Sequence, residues 1–351
     1  MERSERKRRA GRCSIRDLAE YVGLSTCTVS KVLNGRAGRK IPAATQERVL
    51  AAARELDYVP NVNAQRLFRH KAGVLGLLVP SRTEAHGNVF DDTHFVDILG
   101  GMEEALSRNG YHLLLLFDRD PQGDPNRYWQ LFRAGTIDGL LIWGAHRAAN
   151  YWPALRDNGA PALFLTSCPD TAPGDRIHYV VSDYRTTARQ LTARLLEIGC
   201  RRLLYLAGPE ESSVVTLFSE GIAEALRHSD SVCVTRHCNY SCEEAAELTE
   251  KLLRESSFDA VLATSKHIGA GVRRAIAESG RQGIFLVVLD NDAHPVAAED
   301  CFGIGIPDDR RIGAAAIEGI AGLIDGSVES VQMVIPSRIV WAEKLQGAFA
   351  R

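Results

Sequence analysis

Six side chains between Thr26 and Asn34 carry the chemistry most readily named in this sequence. Thr26, Cys27, Thr28, Ser30, Lys31 and Asn34 are short polar groups or a cation, interleaved with the apolar Val29, Val32 and Leu33. At a helical period of 3.6 residues the apolar set turns inward and the polar set outward. Such a polar face enters a DNA major groove without clashing, and it can bond to base edges and phosphates. The segment before it places Ile15, Leu18, Ala19 and Val22 on one face of a shorter helix. Gly23 then breaks that helix, since glycine reaches the left-handed conformation of a tight turn. Ser25 or Thr26 can cap the second helix. Two short helices about a glycine turn read as a helix-turn-helix. The plainer alternative is an amphipathic helix pair with a solvated face.

No catalytic constellation competes with this reading. The chain has no GxxxxGKS/T phosphate loop, no GxSxG elbow and no HExxH pair. Gly303-Ile-Gly305 and Gly269-Ala-Gly271 lack a third glycine and read as loop and packing glycines. Cys233, His237, Cys238 and Cys242 lie close in sequence but contain no CxxC pair, so no metal site is expected there. The eight cysteines lack the spacing of a disulfide framework, as suits a cytoplasmic protein with reduced thiols. No cofactor is implied.

A chain of 351 residues is long enough for more than one core. Its net charge of −2 conceals an asymmetry, because residues 1–71 hold sixteen Lys and Arg against seven Asp and Glu, while the remainder holds 26 against 37. A basic head on an acidic body is the footprint of a nucleic-acid-binding module fused to a part that does not bind nucleic acid. No apolar run has the length of a membrane span, and none opens the chain as a secretion signal would. A cytoplasmic location and no membrane partner are therefore expected.

The elements that position these groups follow in order. Thr45 is placed as the cap of a third amphipathic helix, which Val59-Pro60-Asn61 stops. Apolar runs such as Gly73–Pro80, Gly139–Trp143, Arg202–Ala207 and Ile284–Leu289 have the pattern of strands buried on both faces. They alternate with amphipathic helices, several ended by a glycine. Strand and helix in alternation imply right-handed βαβ units in two successive α/β series, each a doubly wound parallel sheet.

Ile15–Gly35, IRDLAEYVGLSTCTVSKVLNG, and Thr45–Leu67, TQERVLAAARELDYVPNVNAQRL, together resemble the headpiece of the lactose-repressor (LacI) family of bacterial transcription regulators. Weaker resemblance continues through nearly all of the remaining chain. It implies an α-helical headpiece over 1–59, a hinge over 60–71 and a two-lobed periplasmic-binding-protein-like core over 72–351. The first lobe would comprise about 72–181 and 307–334, the second about 182–306 and 336–351. The chain would cross between lobes near Ser182, near Ile306-Pro307 and near Ile335-Pro336. The implied partners are a pseudo-palindromic operator in double-stranded DNA, a second copy of the chain in a homodimer or a higher oligomer, and a small-molecule effector between the lobes.

Residue by residue, the resemblance assigns base reading to Thr26, Cys27 and Lys31, and phosphate contacts to Ser25, Thr28, Ser30 and Asn34. Lys31 departs from the more frequent arginine, whose planar fork grips guanine in two places. Asn61, Ala64 and Leu67 match the hinge helix, with Leu67 as the minor-groove wedge. The effector site matches less well. His94 and Phe95 stand in the family's first-lobe segment, Ser265 in its Ala-Asn-Asp segment, and Phe218 where an arginine is usual. Asp290 retains the pocket aspartate at the end of a second-lobe strand. This set predicts a neutral or cationic ligand with an apolar or ring face, with Lys266 expected in solvent. Two other classes stay open from the residues alone: a protein that only captures a small molecule, and a cytosolic enzyme on a doubly wound core.

Overall fold

The computed structural model describes residues 13–59, 71–80, 89–118, 120, 123–144, 150–169, 175–290 and 302–342. The chain divides into two compact units, Met1–Lys71 and Ala72–Arg351.

In the first unit, α1 (Ile15–Val22), α2 (Thr26–Leu33) and α3 (Ala43–Glu55) close around Leu18, Val29 and Val49, all fully buried. Ser14 and Asp17 cap α1 reciprocally: Asp17 N donates to Ser14 Oγ at 3.3 Å and Ser14 N donates to Asp17 Oδ2 at 3.0 Å, which satisfies two otherwise orphaned donors. Gly23 ends α1 with φ at +66°. The third helix departs from the sequence pattern at both ends. Pro42, at φ −56°, delivers the chain into α3 two residues before Thr45, so Thr45 lies inside the helix and caps nothing. The helix also stops at Glu55, before Val59-Pro60 is reached, because Asp57 turns the chain at φ +47°, a region aspartate tolerates. Asn61, Ala64 and Leu67 of the expected hinge lie outside the described residues.

The second unit runs β1 (Val74–Pro80), α4 (Thr93–Asn109), β2 (His112–Asp118), α5 (Arg127–Arg133), β3 (Gly139–Trp143), α6 (Trp152–Asp157), β4 (Ala162–Leu165) and β5 (Tyr179–Ser182). A second series follows: α7 (Tyr184–Glu197), β6 (Arg202–Ala207), α8 (Ser213–Leu226), β7 (Val232–His237), α9 (Cys242–Glu255), β8 (Ala260–Ala263), α10 (Lys266–Ser279), β9 (Phe285–Leu289) and β10 (Gly303–Ile306). The chain then returns through α11 (Asp309–Asp325), β11 (Gln332–Ile335) and β12 (Arg338–Trp341).

Two six-stranded sheets result, ordered β11-β5-β4-β3-β1-β2 and β12-β10-β9-β8-β6-β7. The first is wholly parallel. The second is mixed rather than purely parallel, since β12 runs antiparallel to β10. The cause is the connection. Only Pro336 and Ser337 separate β11 from β12, too little chain for the crossover that a parallel neighbour needs.

Both faces of each sheet are covered. Leu75, Leu77 and Val79 of β1 pack under α4 and α11, whereas Leu78 packs under α5 and α6. Leu203 and Tyr205 of β6 lie under α7 and α8, and Leu204 and Leu206 under α9 and α10. The chain passes between the sheets after Ser182, Ile306 and Ile335. These passages lie side by side: Ser182 pairs with Ile335 in the first sheet and Ile306 with Arg338 in the second. The Ser182 and Ser337 hydroxyls are 2.8 Å apart.

Glycines set how closely the covering helices approach. A Cβ on Gly101 of α4 would stand 1.9 Å from the carbonyl oxygen of Arg310, and one on Gly313 of α11 would stand 2.1 Å from that of Ile98. Gly221 meets Arg185, and Gly271 meets Cys242, in the same way on the second sheet. Gly303 and Gly305, expected in a loop, instead lie in β10 beneath Trp341 and Thr187. Gly101→Ala should destabilise the second unit by about 1–3 kcal/mol, the usual cost of overpacking. Ser107→Ala, on the exposed side of the same helix, should be neutral. Urea denaturation followed by tryptophan fluorescence reads the difference, because the tryptophans belong to the second unit alone.

Candidate functional site

Two groups of side chains are candidates, one in each unit. In the first, Ser25 Oγ accepts from Thr28 N at 3.1 Å and caps α2. Its hydroxyl also lies 2.9 Å from that of Thr28. At the other end Asn34 Nδ2 donates to Ser30 O at 2.8 Å and reaches Ser30 Oγ at 3.3 Å. Four of the seven polar side chains named from sequence therefore hold the helix ends. Thr26, Cys27 and Lys31 differ. They are exposed and have no side-chain hydrogen bond among the described residues. At about 100° per residue these three span an arc of roughly 140° on α2, with Ser30 and Asn34 inside it. Val29 and Val32 on the opposite side are buried against α1 and α3.

In the second unit the N-termini of α4 and α11 meet. Asp92 caps α4, its Oδ1 accepting from His94 N at 3.0 Å. His94 Nδ1 lies 2.7 Å from Asp309 Oδ2 at the start of α11; the Asp309 side chain is 2% exposed and that of His94 26%. Burial alone lowers the His94 pKa, but the Asp309 hydrogen bond and the charges of Asp309, Asp92 and Asp290 outweigh it, so the net shift is upward. Asp309 is raised as well, by burial first, against the lowering effect of His94 and with a further rise from Asp97 and Asp92.

The second lobe contributes from its strand ends and helix starts. Lys266, the first residue of α10, sends Nζ across to Thr93 Oγ1 at 2.5 Å. Lys266 is thus half-buried and bridges the lobes rather than standing in solvent. Tyr184, at the start of α7, has its pKa driven up by burial first and then by Asp309, Tyr240 and Asp92. Asp290 follows β9, is 8% exposed, and donates its N–H to Gly305 O at 3.0 Å. Beyond acting on His94, it lines a cavity of about 270 Å³ with Lys266, Arg273, Val288 and Ile304. A second bridge joins Cys168 N to Ser213 Oγ at 3.2 Å.

Two of the effector residues expected from sequence stand elsewhere, and the hydroxyl of a third is occupied in capping. Phe95 is fully buried in the first-lobe core, its ring 5.0 Å from that of Trp143. Phe218 is fully buried too, stacked 5.4 Å from Tyr205 on the sheet-facing side of α8, and presents no face to a ligand. Ser265 Oγ accepts from Ile268 N and caps α10. His94 and Asp290 do lie within electrostatic reach of each other. Asp309, Tyr184 and Lys266 join them, and no motif marked these three as a set. Cys238 is buried, its Sγ donating to Ala207 O at 3.6 Å, while Cys233 and Cys242 are half-buried. Among the described residues no group of three His, Cys, Asp or Glu converges on a common point, and no helix is long and apolar enough to cross a membrane.

Fold and site define a DNA-binding regulator: a three-helix unit with a polar recognition face, followed by a two-lobed α/β core with polar groups gathered between its lobes. Residues 14–61 match the family described as "Bacterial regulatory proteins, lacI family", and residues 72–291 match "Periplasmic binding proteins and sugar binding domain of LacI family". The chain belongs to the LacI family and is a DNA-binding transcriptional regulator. It is 30% identical over 284 residues to the HTH-type transcriptional regulator CelR of Thermobifida fusca, a match covering 79% of this chain and 80% of that protein. It is also 30% identical over 285 residues to the maltose regulon regulatory protein MalI of Escherichia coli, covering 78% of each. Among solved structures, the Lac repressor dimer bound to operator and an anti-inducer superposes with a TM-score of 0.77 at 22% identity, covering 94% of this chain and 98% of that one.

The two upward shifts act on stability with the same sign. A group that binds its proton more tightly when folded contributes stability that is complete below its unfolded pKa and lost as pH rises through the folded one. For His94 that loss begins near its ordinary 6.5 and extends above it. Asp309, raised from 3.8, acts in the same sense from a lower pH. The melting temperature of the second unit should therefore fall between about pH 6 and pH 8. His94→Gln should flatten that slope, and a melting temperature rising with pH would contradict the pairing.

Proposed function

We propose that this regulator is a cytoplasmic repressor that binds a pseudo-palindromic operator as a homodimer and is controlled by a small sugar held between its lobes. Thr26, Cys27 and Lys31 read bases in the major groove. Ser25, Thr28, Ser30 and Asn34 contact phosphates from a helix whose ends they also secure. The working division is a headpiece over 1–59, a connection over 60–71 whose Asn61, Ala64 and Leu67 act in the minor groove, and a core over 72–351. The core's polar cleft binds without turnover, so the protein is not an enzyme. The observation that carries the reading is the exposed, unpartnered trio on α2, opposite a side that is fully packed. A merely solvated helix pair has no need of that division between capping and unengaged groups.

The effector assignment draws on the relatives, among them a solved complex of CelR with cellobiose. It draws equally on Asp290 and Asp309, whose carboxylates favour hydrogen-bond donors over anions. Capture of a small molecule as the main task has only the core in its favour, and the headpiece argues against it.

The test begins with selection of an operator from random oligonucleotides by the full-length protein. Binding should fall steeply with salt, since each phosphate neutralised releases a counterion. Lys31→Ala should weaken operator binding by about 1–3 kcal/mol per half-site while sparing most binding to random DNA. Equal losses on both would reduce Lys31 to a phosphate contact. Asp290→Ala should abolish the sugar's effect on operator binding and leave DNA affinity intact; a preserved response would move the effector out of the cleft.

A further inference from the structure

The two carboxylate oxygens of Asp309 have different fates. Oδ2 is bonded to His94 Nδ1. Oδ1 is buried and has no hydrogen-bond partner among the described residues. A buried carboxylate oxygen left without a donor is costly, more so than a neutral group, and persists where something outside the protein supplies the bond. Its surroundings come from both lobes. Asp92 and His94 of α4 stand on one side and Tyr184 of α7 on the other, close enough for each of the three to act electrostatically on Asp309 or to feel it. Asp290, from the end of β9, acts on the same His94.

The charges there indicate what the missing donor is. Asp92, Asp290 and Asp309 bring three carboxylates, against the His94 ring and, beside Asp290 on the second lobe, the Lys266 ammonium and Arg273. Lys266 gives one of its three donors to Thr93 Oγ1, which fixes its position at the first lobe. Asp97, the next carboxylate along α4, is matched by Arg310 at 3.3 Å. An incoming anion would meet an acceptor that is short of a donor, with more carboxylates behind it. A hydroxyl fits: it donates to Oδ1 and adds no charge.

We infer that Asp309 is the specificity-determining residue of the effector site, its Oδ1 accepting a hydrogen bond from a hydroxyl of a neutral sugar. The inference rests on the proposal that the effector binds between the lobes, and it names the residue and the ligand class there. His94 holds the carboxylate by its other oxygen and so aims Oδ1. Phosphorylated sugars are excluded because they bring negative charge to the acceptor. Asp309 thus does in the first lobe what the sequence assigned to Asp290 in the second, and the two carboxylates address a ligand from opposite sides.

The full-length protein is tested by thermal shift and calorimetry against cellobiose, maltose, sucrose and ribose, with ribose 5-phosphate and fructose 1-phosphate as the anionic set. At least one neutral sugar should bind, and no phosphate. Asp309→Asn, which keeps the shape but removes the charge from the acceptor, should weaken that sugar tenfold to about a hundredfold; the unliganded melting curve checks that the variant is folded. If it is not, Asp309→Glu displaces the oxygens while keeping the charge and should lose the sugar equally. Sugar binding unchanged in the Asp309 variant but lost in Asp290→Ala overturns this inference and leaves the cleft as the effector site. Binding unchanged in both overturns the cleft reading too. Binding of phosphates alone, or silence from every neutral sugar, overturns the ligand class and the inference with it.

Discussion

The close approach of α4 to α11 is the constraint on which the core's chemistry depends. Gly101 lets the carbonyl of Arg310 sit where a Cβ would be, and Gly313 does the same for that of Ile98. With no side chains between the backbones, the N-termini of the two helices arrive together. His94 at one start and Asp309 at the other are thereby brought to 2.7 Å. A wider spacing would admit water between them. Asp309 would then be an ordinary solvated carboxylate instead of a buried acceptor, and His94 would titrate like a free imidazole. Packing several residues away, between backbones, thus determines the protonation behaviour of the cleft. The second sheet repeats the device with Gly221 and Gly271, which seat α8 on α7 and α10 on α9.

Electrostatics separate the two units as clearly as the fold does. The excess of positive charge lies before residue 72 and the excess of negative charge after it. A nucleic-acid backbone is attracted by one part and repelled by the other, which favours approach through the headpiece. Within the core, Asp92, Asp290 and Asp309 stand within electrostatic reach of one imidazole. Neutralisation elsewhere in the first lobe is local. Arg127 satisfies Asp118 at 3.0 Å and lies over the Tyr128 ring, so its guanidinium is already engaged.

Much of this architecture was legible in the chain because its signals are local. Gly23, Gly110 and Gly280 end helices at positive φ, and each stands just past an amphipathic run. The apolar run before Asp290 announced a buried strand. The effector residues were less legible because a position along the chain does not specify the rotation of a side chain about its helix. Phe218 lies on the helix expected of it, but on the side that stacks against Tyr205. Phe95 follows His94 by one residue, yet about 100° of helical turn sends it into the core instead of the cleft. Asp309 stands 215 residues from His94, beside the ordinary helix cap Asp308, and nothing nearby in sequence distinguishes it. The Lys266 side chain at a helix start reads as solvated until Thr93, 173 residues away, is placed next to it.

The three adjacent passages between the sheets have a mechanical consequence. A single strand of chain would let the lobes swivel, twist and slide. Three laid side by side behave like the leaves of a door hinge, in which opening is soft and torsion is stiff. Two of the three contain a proline, Pro307 and Pro336, whose ring fixes one of the two dihedral angles at each place. The third is tied to its neighbour through the Ser182 and Ser337 hydroxyls. The angle of opening is thereby the softest coordinate of relative motion between the lobes. A molecule that wedges or clamps the cleft reports first along that coordinate, so chemically different ligands are read out on a common scale, as wider or narrower.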